Sequence, residues 1–271
     1  QEARGPRQEL HGRLMLAFDR EGQGAPTFVF VHGFGCARED WSAQVAAFSG
    51  SHNCISLDLP GFGDSPALGE LPSMAGFGEA VLELMDAEGV ERAVLFGHSM
   101  GCRPIMEISI AARERVLGLV LVDPGRATTD FEASKRQFEA LIAERGFAEQ
   151  ARIMFKSMFF DAAYDDLRDR LAERAAALSP ETAIPTYLAL LSWDAERCEK
   201  VFDSVSVPVL VLQSTTRDGF ARRSLNPAET APYQQMALDR IEGAETESFP
   251  GVGHFTMIEA ATELNDSVQD F

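Results

Sequence analysis

Short apolar runs recur along the chain at intervals long enough to hold a helix between them. The runs at 14–18, 27–31, 54–59, 93–96, 117–122, 207–212 and 245–249 read as strands. Strands alternating with helix-length segments predict a doubly wound, mainly parallel α/β sheet, whose sites gather at the carboxyl ends of the strands. Between Pro124 and Ser206 the pattern changes. That stretch holds no strand-like run and reads as helices over 131–145, 147–160, 164–178 and 185–202, with Ser179-Pro180 as an N-cap followed by proline at the first helical position. The expected organisation is a core domain of residues 1–124 and 207–271 with a helical cap inserted at 125–206.

The pattern is sharpest around residue 99. Ala93-Val94-Leu95-Phe96 is an apolar run of the kind a buried parallel strand shows, entered from the charged Glu91-Arg92 pair. From Met100 to about Val116 the chain carries Ile105, Met106, Ile108 and Ile110 and then Arg113-Glu114-Arg115, a mostly buried helix. Between them stands Gly-His-Ser-Met-Gly. Alone it is a serine between two glycines; between strand and helix it has the context of a nucleophile elbow. There Ser99 takes a strained backbone conformation, and Gly97 and Gly101 let strand and helix approach closely.

Composition narrows the function classes. The chain has 271 residues, 45% hydrophobic and 24% charged, which is ordinary for a globular protein. A formal net charge of −18 opposes both a phosphate backbone and an acidic membrane surface, and no run approaches the length of a membrane span. Cys36, Cys54, Cys102 and Cys198 are scattered without CxxC or metal-ligand spacing, which suits buried thiols of a reducing, cytoplasmic compartment rather than disulfides or zinc. The opening Gln1-Glu2-Ala3-Arg4 resembles neither a signal nor a transit peptide. No clustered ligands call for a metal or an organic cofactor, and the oligomeric state is not legible.

Four ordered landmarks, VHGFG at 31–35, DLPGFGDS at 58–65, GHSMG at 97–101 and GVGHF at 251–255, resemble the α/β-hydrolases, on the esterase and lactonase side, over nearly the whole chain. A serine hydroxyl needs a base to take its proton, and of the five histidines His254 is favoured because its glycine-bounded loop follows the last strand. His32 and His98 read as oriented structural histidines close to the site, and His11 and His52 as surface residues. The resemblance implies oxyanion donors at the amides of Phe34 and Met100, with Gly33 keeping the first loop thin. For the triad acid two positions stay open. Asp218 lies one residue beyond the commonest position, which falls on Arg217; Asp123, at the end of the strand in LVLVDPG, is favoured. Their plainer readings are a turn cap beside Pro124 for Asp123 and an ion pair with Arg217 for Asp218. DLPGFGDS lacks the lysine of a phosphate loop and reads as a turn in which Asp58 and Asp64 bond loop amides.

The expected activity is hydrolysis of an ester, thioester or lactone of a largely apolar small molecule. Gly33, His98, Phe155, Met158, Phe159 and Trp193 are the expected pocket residues. A C–C bond hydrolase, a cofactor-free dioxygenase and a ligand-binding receptor share the same scaffold and remain alternatives.

Overall fold

The computed structural model describes residues 16–67, 69, 71–218 and 221–271, with only the backbone of Asp218. In chain order its elements are β1 (Phe18–Glu21), β2 (Thr27–Val31), α1 (Ser42–Phe48), β3 (Asn53–Leu57), α2 (Met74–Ala87), β4 (Ala93–His98), α3 (Cys102–Ala111) and β5 (Val116–Val122). Then come α4 (Phe131–Arg145), α5 (Phe147–Lys156), α6 (Asp165–Ala176), α7 (Pro180–Glu196) and α8 (Cys198–Phe202). The chain closes with β6 (Val209–Gln213), β7 (Thr215–Asp218), β8 (Ala221–Ser224), α9 (Pro232–Arg240), β9 (Glu245–Ser248), α10 (Thr256–Glu259) and α11 (Ala261–Asp270).

Seven strands form one sheet in the order β1-β3-β2-β4-β5-β6-β9. All neighbours are parallel except the edge strand β1, which runs antiparallel to β3. The expected mainly parallel α/β sheet is therefore the one observed. The central strands β2, β4, β5 and β6 are almost entirely buried, as a sheet covered on both faces requires, which is why they read as continuous apolar runs. The winding direction reverses between β2 and β4: β2 leads outward to β3 on one side, β4 to β5 on the other. Loops diverge at such a point and leave a crevice above the strand ends. The register Val31↔Gly97, His98↔Val122 and Val122↔Leu212 brings the ends of these four strands level.

Flanking helices bind by one apolar face. In α2, Met74, Phe77, Val81 and Leu84 are buried, and the Ser73 hydroxyl caps the first turn by accepting from the Gly76 amide at 2.9 Å. Removing the Phe77 ring would cost about 3–5 kcal/mol by the usual cavity rule.

Three local readings differ from the structure. The first strand begins at Phe18 rather than residue 14, because β1 is a solvent-exposed edge whose Asp19, Arg20 and Glu21 carry no apolar signal; residues 14 and 15 lie outside the described residues, as does His11. The hairpin β7–β8 went unanticipated, since Thr-Thr-Arg-Asp and Ala-Arg-Arg-Ser lack apolar alternation. Between β5 and β6 the described residues form helices α4 to α8 and one short 3₁₀ turn. There α7 starts at Pro180 and tolerates Pro185, and a break at Arg197 separates it from α8. Ser179 is its N-cap by backbone position, but its hydroxyl donates to Glu181 instead of capping an amide.

Candidate active site

Ser99 stands where β4 passes into α3 through the single turn Ser99–Gly101. Its φ of 50° lies in the left-handed region, which costs a residue with a Cβ about 1–2 kcal/mol. The flanking glycines make the turn possible. A Cβ on Gly97 would sit 2.6 Å from the Gly101 carbonyl oxygen, and one on Gly101 would sit 2.4 Å from that of Val31. The Ser99 carbonyl accepts from Arg103 Nη1 at 2.8 Å. Arg103 is in turn held by Asp194 of α7 through two bonds of 2.8 Å, in a pair whose side chains are 3% and 0% exposed. A buried ion pair thus ties α7 to the elbow. The Ser99 hydroxyl has no hydrogen-bond partner among the described residues.

One strand over, Asp123 ends β5 with a φ of 38° and is fully buried. Its Oδ1 accepts from Gln213 Nε2 and the amides of Ser214 and Thr215, all at 2.8 Å. Its Oδ2 accepts from the Thr215 hydroxyl and from His254 Nδ1, both at 2.5 Å. Burial pushes this carboxyl up, but the His254 bond, the Arg222 charge and the Thr215 bond outweigh it and hold it at about 2. An ionised Asp123 fixes the proton of His254 on Nδ1 and leaves Nε2 as the free base. Asp123, of the two acids weighed, is the one the structure sets against His254. Asp218 closes β7, and its side chain lies outside the described residues.

His254 is gripped on all sides. Its amide donates to the carbonyl of Met158, just after α5, at 2.9 Å, and its carbonyl accepts from His98 Nε2 at 2.9 Å. The Glu259 carboxylate accepts from the amides on either side, Gly253 at 3.1 Å and Phe255 at 3.2 Å. Burial raises that carboxyl to about 7. His254 itself falls to about 4, first because it is buried, then because Arg222 lies beside it; Asp123 pulls the other way.

His32 and His98 sit as oriented buried rings. His32 Nδ1 bonds the Gly33 carbonyl at 2.7 Å, and Nε2 accepts from the Leu59 amide at 2.9 Å. Burial lowers His98 to about 3, with neighbouring His254 adding to the effect. His52 is half-buried rather than a surface residue, stacked on Phe28 with centroids 4.2 Å apart. All four cysteines are buried and free. In the loop after β3, Asp58 accepts from the Arg38 and Asp64 amides, as its turn reading requires. The Asp64 carboxylate instead meets the Arg38 guanidinium at 3.0 Å.

Ser99, His254, His98 and Phe34 open onto one cleft, with an empty volume of about 560 Å³ counting its mouth. Of the expected pocket residues, the structure places His98, Phe155 and Met158 along it, together with Met154, Tyr187 and Leu190. Three expected pocket residues do not line it. Trp193 is turned toward the core, its indole donating to Glu107 at 2.6 Å. Phe159 stacks on Phe255 behind the cleft wall, centroids 5.0 Å apart. Gly33 lies under the wall rather than in it, its missing Cβ position 3.1 Å from Ser99 Cβ. The Phe34 amide has no hydrogen-bond partner among the described residues, and Met100 lies in the first turn after β4, where helix amides lack partners of their own.

Sequence reasoning missed the cationic side of the cleft: Arg103, Arg217 and Arg222 all line it. Arg217 and Arg222 face each other across the β7–β8 hairpin. Arg222 Nη1 donates to Thr215 Oγ1 at 2.6 Å and lies 3.4 Å from Asp123 Oδ2 and 3.0 Å from His254 Nδ1. Among the described residues no group of three or more His, Cys, Asp or Glu is placed to hold a metal ion, and no helix is long and apolar enough to cross a membrane.

Residues 28–267 match the Alpha/beta hydrolase family. The chain is 38% identical over 114 residues to the dihydrolipoyllysine-residue acetyltransferase component of the acetoin cleaving system of Cupriavidus necator, an overlap of 41% of this chain and 30% of that protein's length. It is 26% identical to 3-oxoadipate enol-lactonase 1 of Acinetobacter baylyi, over 70% of this chain and 71% of that one. The enol-lactonase from Burkholderia xenovorans LB400 has the same fold, with a TM-score of 0.75 at 20% identity over 94% of this chain and 95% of that one. The family match spans most of the chain, and the chain belongs to the α/β-hydrolase family.

Proposed function

We propose that the protein is a serine hydrolase that cleaves a carboxylic ester, thioester or lactone through an acyl-enzyme on Ser99. The observation that carries this reading is the strained Ser99, at φ 50°, opening onto the same cleft as an imidazole whose Nδ1 is fixed 2.5 Å from a buried carboxylate. Backbone strain at a polar residue in a cleft is a feature of functional sites rather than of packing.

In this mechanism His254 Nε2 takes the Ser99 proton as Oγ attacks the carbonyl carbon. Asp123 steadies the imidazolium that results. The carbonyl oxygen becomes an anion between the Phe34 and Met100 amides, each worth about 3 kcal/mol when aimed at that charge. Collapse expels the alcohol, thiol or ring oxygen, which takes the proton from His254. Water then attacks the acyl-enzyme by the same route and releases the acid. Phe34, Phe155 and Met158 support the reading by offering an apolar wall to the acyl body.

The test is turnover of a panel of 4-nitrophenyl esters and γ- and δ-lactones by the purified chain and by Ser99→Ala. Hydrolysis of at least one class, lost by about 10³-fold or more in the variant, is expected. Equal rates for both proteins would reject Ser99 as the nucleophile.

A further inference from the structure

We propose that the substrate carries a carboxylate or equivalent monoanionic group, which docks on the guanidinium of Arg217 with that of Arg222 beside it, while its ester or lactone carbonyl faces Ser99. This rests on the serine hydrolase reading and adds the substrate's charge to it.

Three guanidiniums line the cleft of a chain whose formal net charge is −18. Two are accounted for by carboxylates. Arg103 is held bidentately by Asp194. Arg222 lies at 3.4 Å from Asp123 Oδ2, an oxygen already engaged at 2.5 Å by both His254 and Thr215. Arg217 has no ion pair or hydrogen bond with any described residue. Charge balance at the cleft thus stops one anion short among the described residues.

That surplus is unfavourable for the protein by itself. Arg217 and Arg222 are cross-strand partners, where like charges repel. Burial and the neighbouring Arg217 bring Arg222 down to about 10. Arg222 also lies 3.0 Å from His254 Nδ1, so its charge opposes the imidazolium that acyl transfer must form. A carboxylate between the two guanidiniums relieves all three penalties. It supplies the missing charge, separates the like pair and shields His254 when the proton has to move. Guanidinium forks match a carboxylate in a directional, two-point contact that an ammonium cannot make. Phe34, Phe155 and Met158 line the same cleft as Ser99 and both guanidiniums, which suits a substrate with an apolar carbon chain between its anion and its reacting carbonyl.

The experiment compares the wild-type chain with Arg217→Gln and Arg217→Lys in two arms. In the first, kcat/KM is measured for mono-4-nitrophenyl glutarate and for its methyl ester, which lacks only the charge. The wild type is expected to prefer the free acid by about 10- to 100-fold, the size of one charge-assisted contact. R217Q should lose that ratio, and R217K should keep part of it. In the second arm, calorimetry measures binding of monomethyl glutarate, which should be at least about tenfold weaker to R217Q than to wild type. This arm needs no turnover. A wild-type ratio near one, or a preference and binding unchanged in R217Q, overturns the anion site even if Ser99 is reactive. Anion binding that depends on Arg217 in a chain that hydrolyses no ester overturns the hydrolase reading and leaves the anion site standing.

Discussion

Replacing Asp123 by asparagine tests how the base is oriented, and the structure sets the size of the effect. The carboxylate accepts three bonds at Oδ1 and two short ones at Oδ2, so an isosteric amide cannot satisfy both ends. With its NH₂ at the Oδ2 position, it faces His254 Nδ1 and drives the ring proton to Nε2, which abolishes the base. Turned the other way, the NH₂ meets three donors. A triad histidine held in the wrong tautomer loses about 10⁴ in kcat, or about 5.5 kcal/mol at 1.36 kcal/mol per decade. Stability should fall as well. The carboxyl is held at about 2 against an ordinary 3.8, so about 2–3 kcal/mol of folded-state interaction goes with the charge. The assay is kcat/KM on a 4-nitrophenyl ester for Asp123→Asn and Asp218→Asn side by side, with urea melts of both. The expected result is collapse of the first and near wild-type rates for the second. An Asp123→Asn protein within about tenfold of wild type, with the loss in Asp218→Asn, would refute the assignment.

With a neutral ester, kcat/KM should hold as pH falls through 6.5 and drop only toward about 4, where burial and Arg222 place His254; a pH-rate limb centred near 6.5 contradicts that placement. Folding stability should decline as pH falls from about 6.5 toward 4, because His98 and His254 bind protons in the unfolded chain near 6.5 but in the folded one only near 3 and 4. Glu259, raised by burial to about 7, works the opposite way between 7 and about 4.5 and cancels one of those slopes, and Asp123 adds its loss only below about 3.8. A urea midpoint that stays level or rises between pH 6 and 4.5 would count against the buried neutral imidazoles. Asp194→Asn strands the Arg103 charge between α7 and the elbow and should cost about 3–5 kcal/mol in urea unfolding. A change under about 1 kcal/mol would show that the pair carries little of the contact.

The parts legible in sequence were those encoded by local periodicity and steric need. The apolar runs of β2, β4, β5 and β6 announced buried parallel strands, and Gly97, Ser99 and Gly101 specified a turn that only glycine can flank. Asp123 was visible as the residue ending an apolar strand, but its partnership with His254 depends on the level strand ends and on a loop 131 residues away. The β7–β8 hairpin was not legible, because its polar strands lack the apolar alternation that would have made the Asp218-Gly219 pair between them read as a hairpin turn. Arg217 marked the place where an acid is common, and only the pairing across the hairpin shows that it and Arg222 turn that position cationic. Trp193 illustrates the converse: an aromatic in the cap suggested a pocket wall, and a hydrogen bond to Glu107 turned it to the core.

The most direct measurement is the rate at which a fluorophosphonate phosphonylates the chain, followed by intact mass and peptide mapping, for wild type and for His254→Ala. One equivalent on Ser99 in the wild type, formed at least about 10³-fold more slowly in the variant, is the predicted result. No adduct on Ser99, or equal rates with and without the imidazole, would contradict activation of Ser99 by His254.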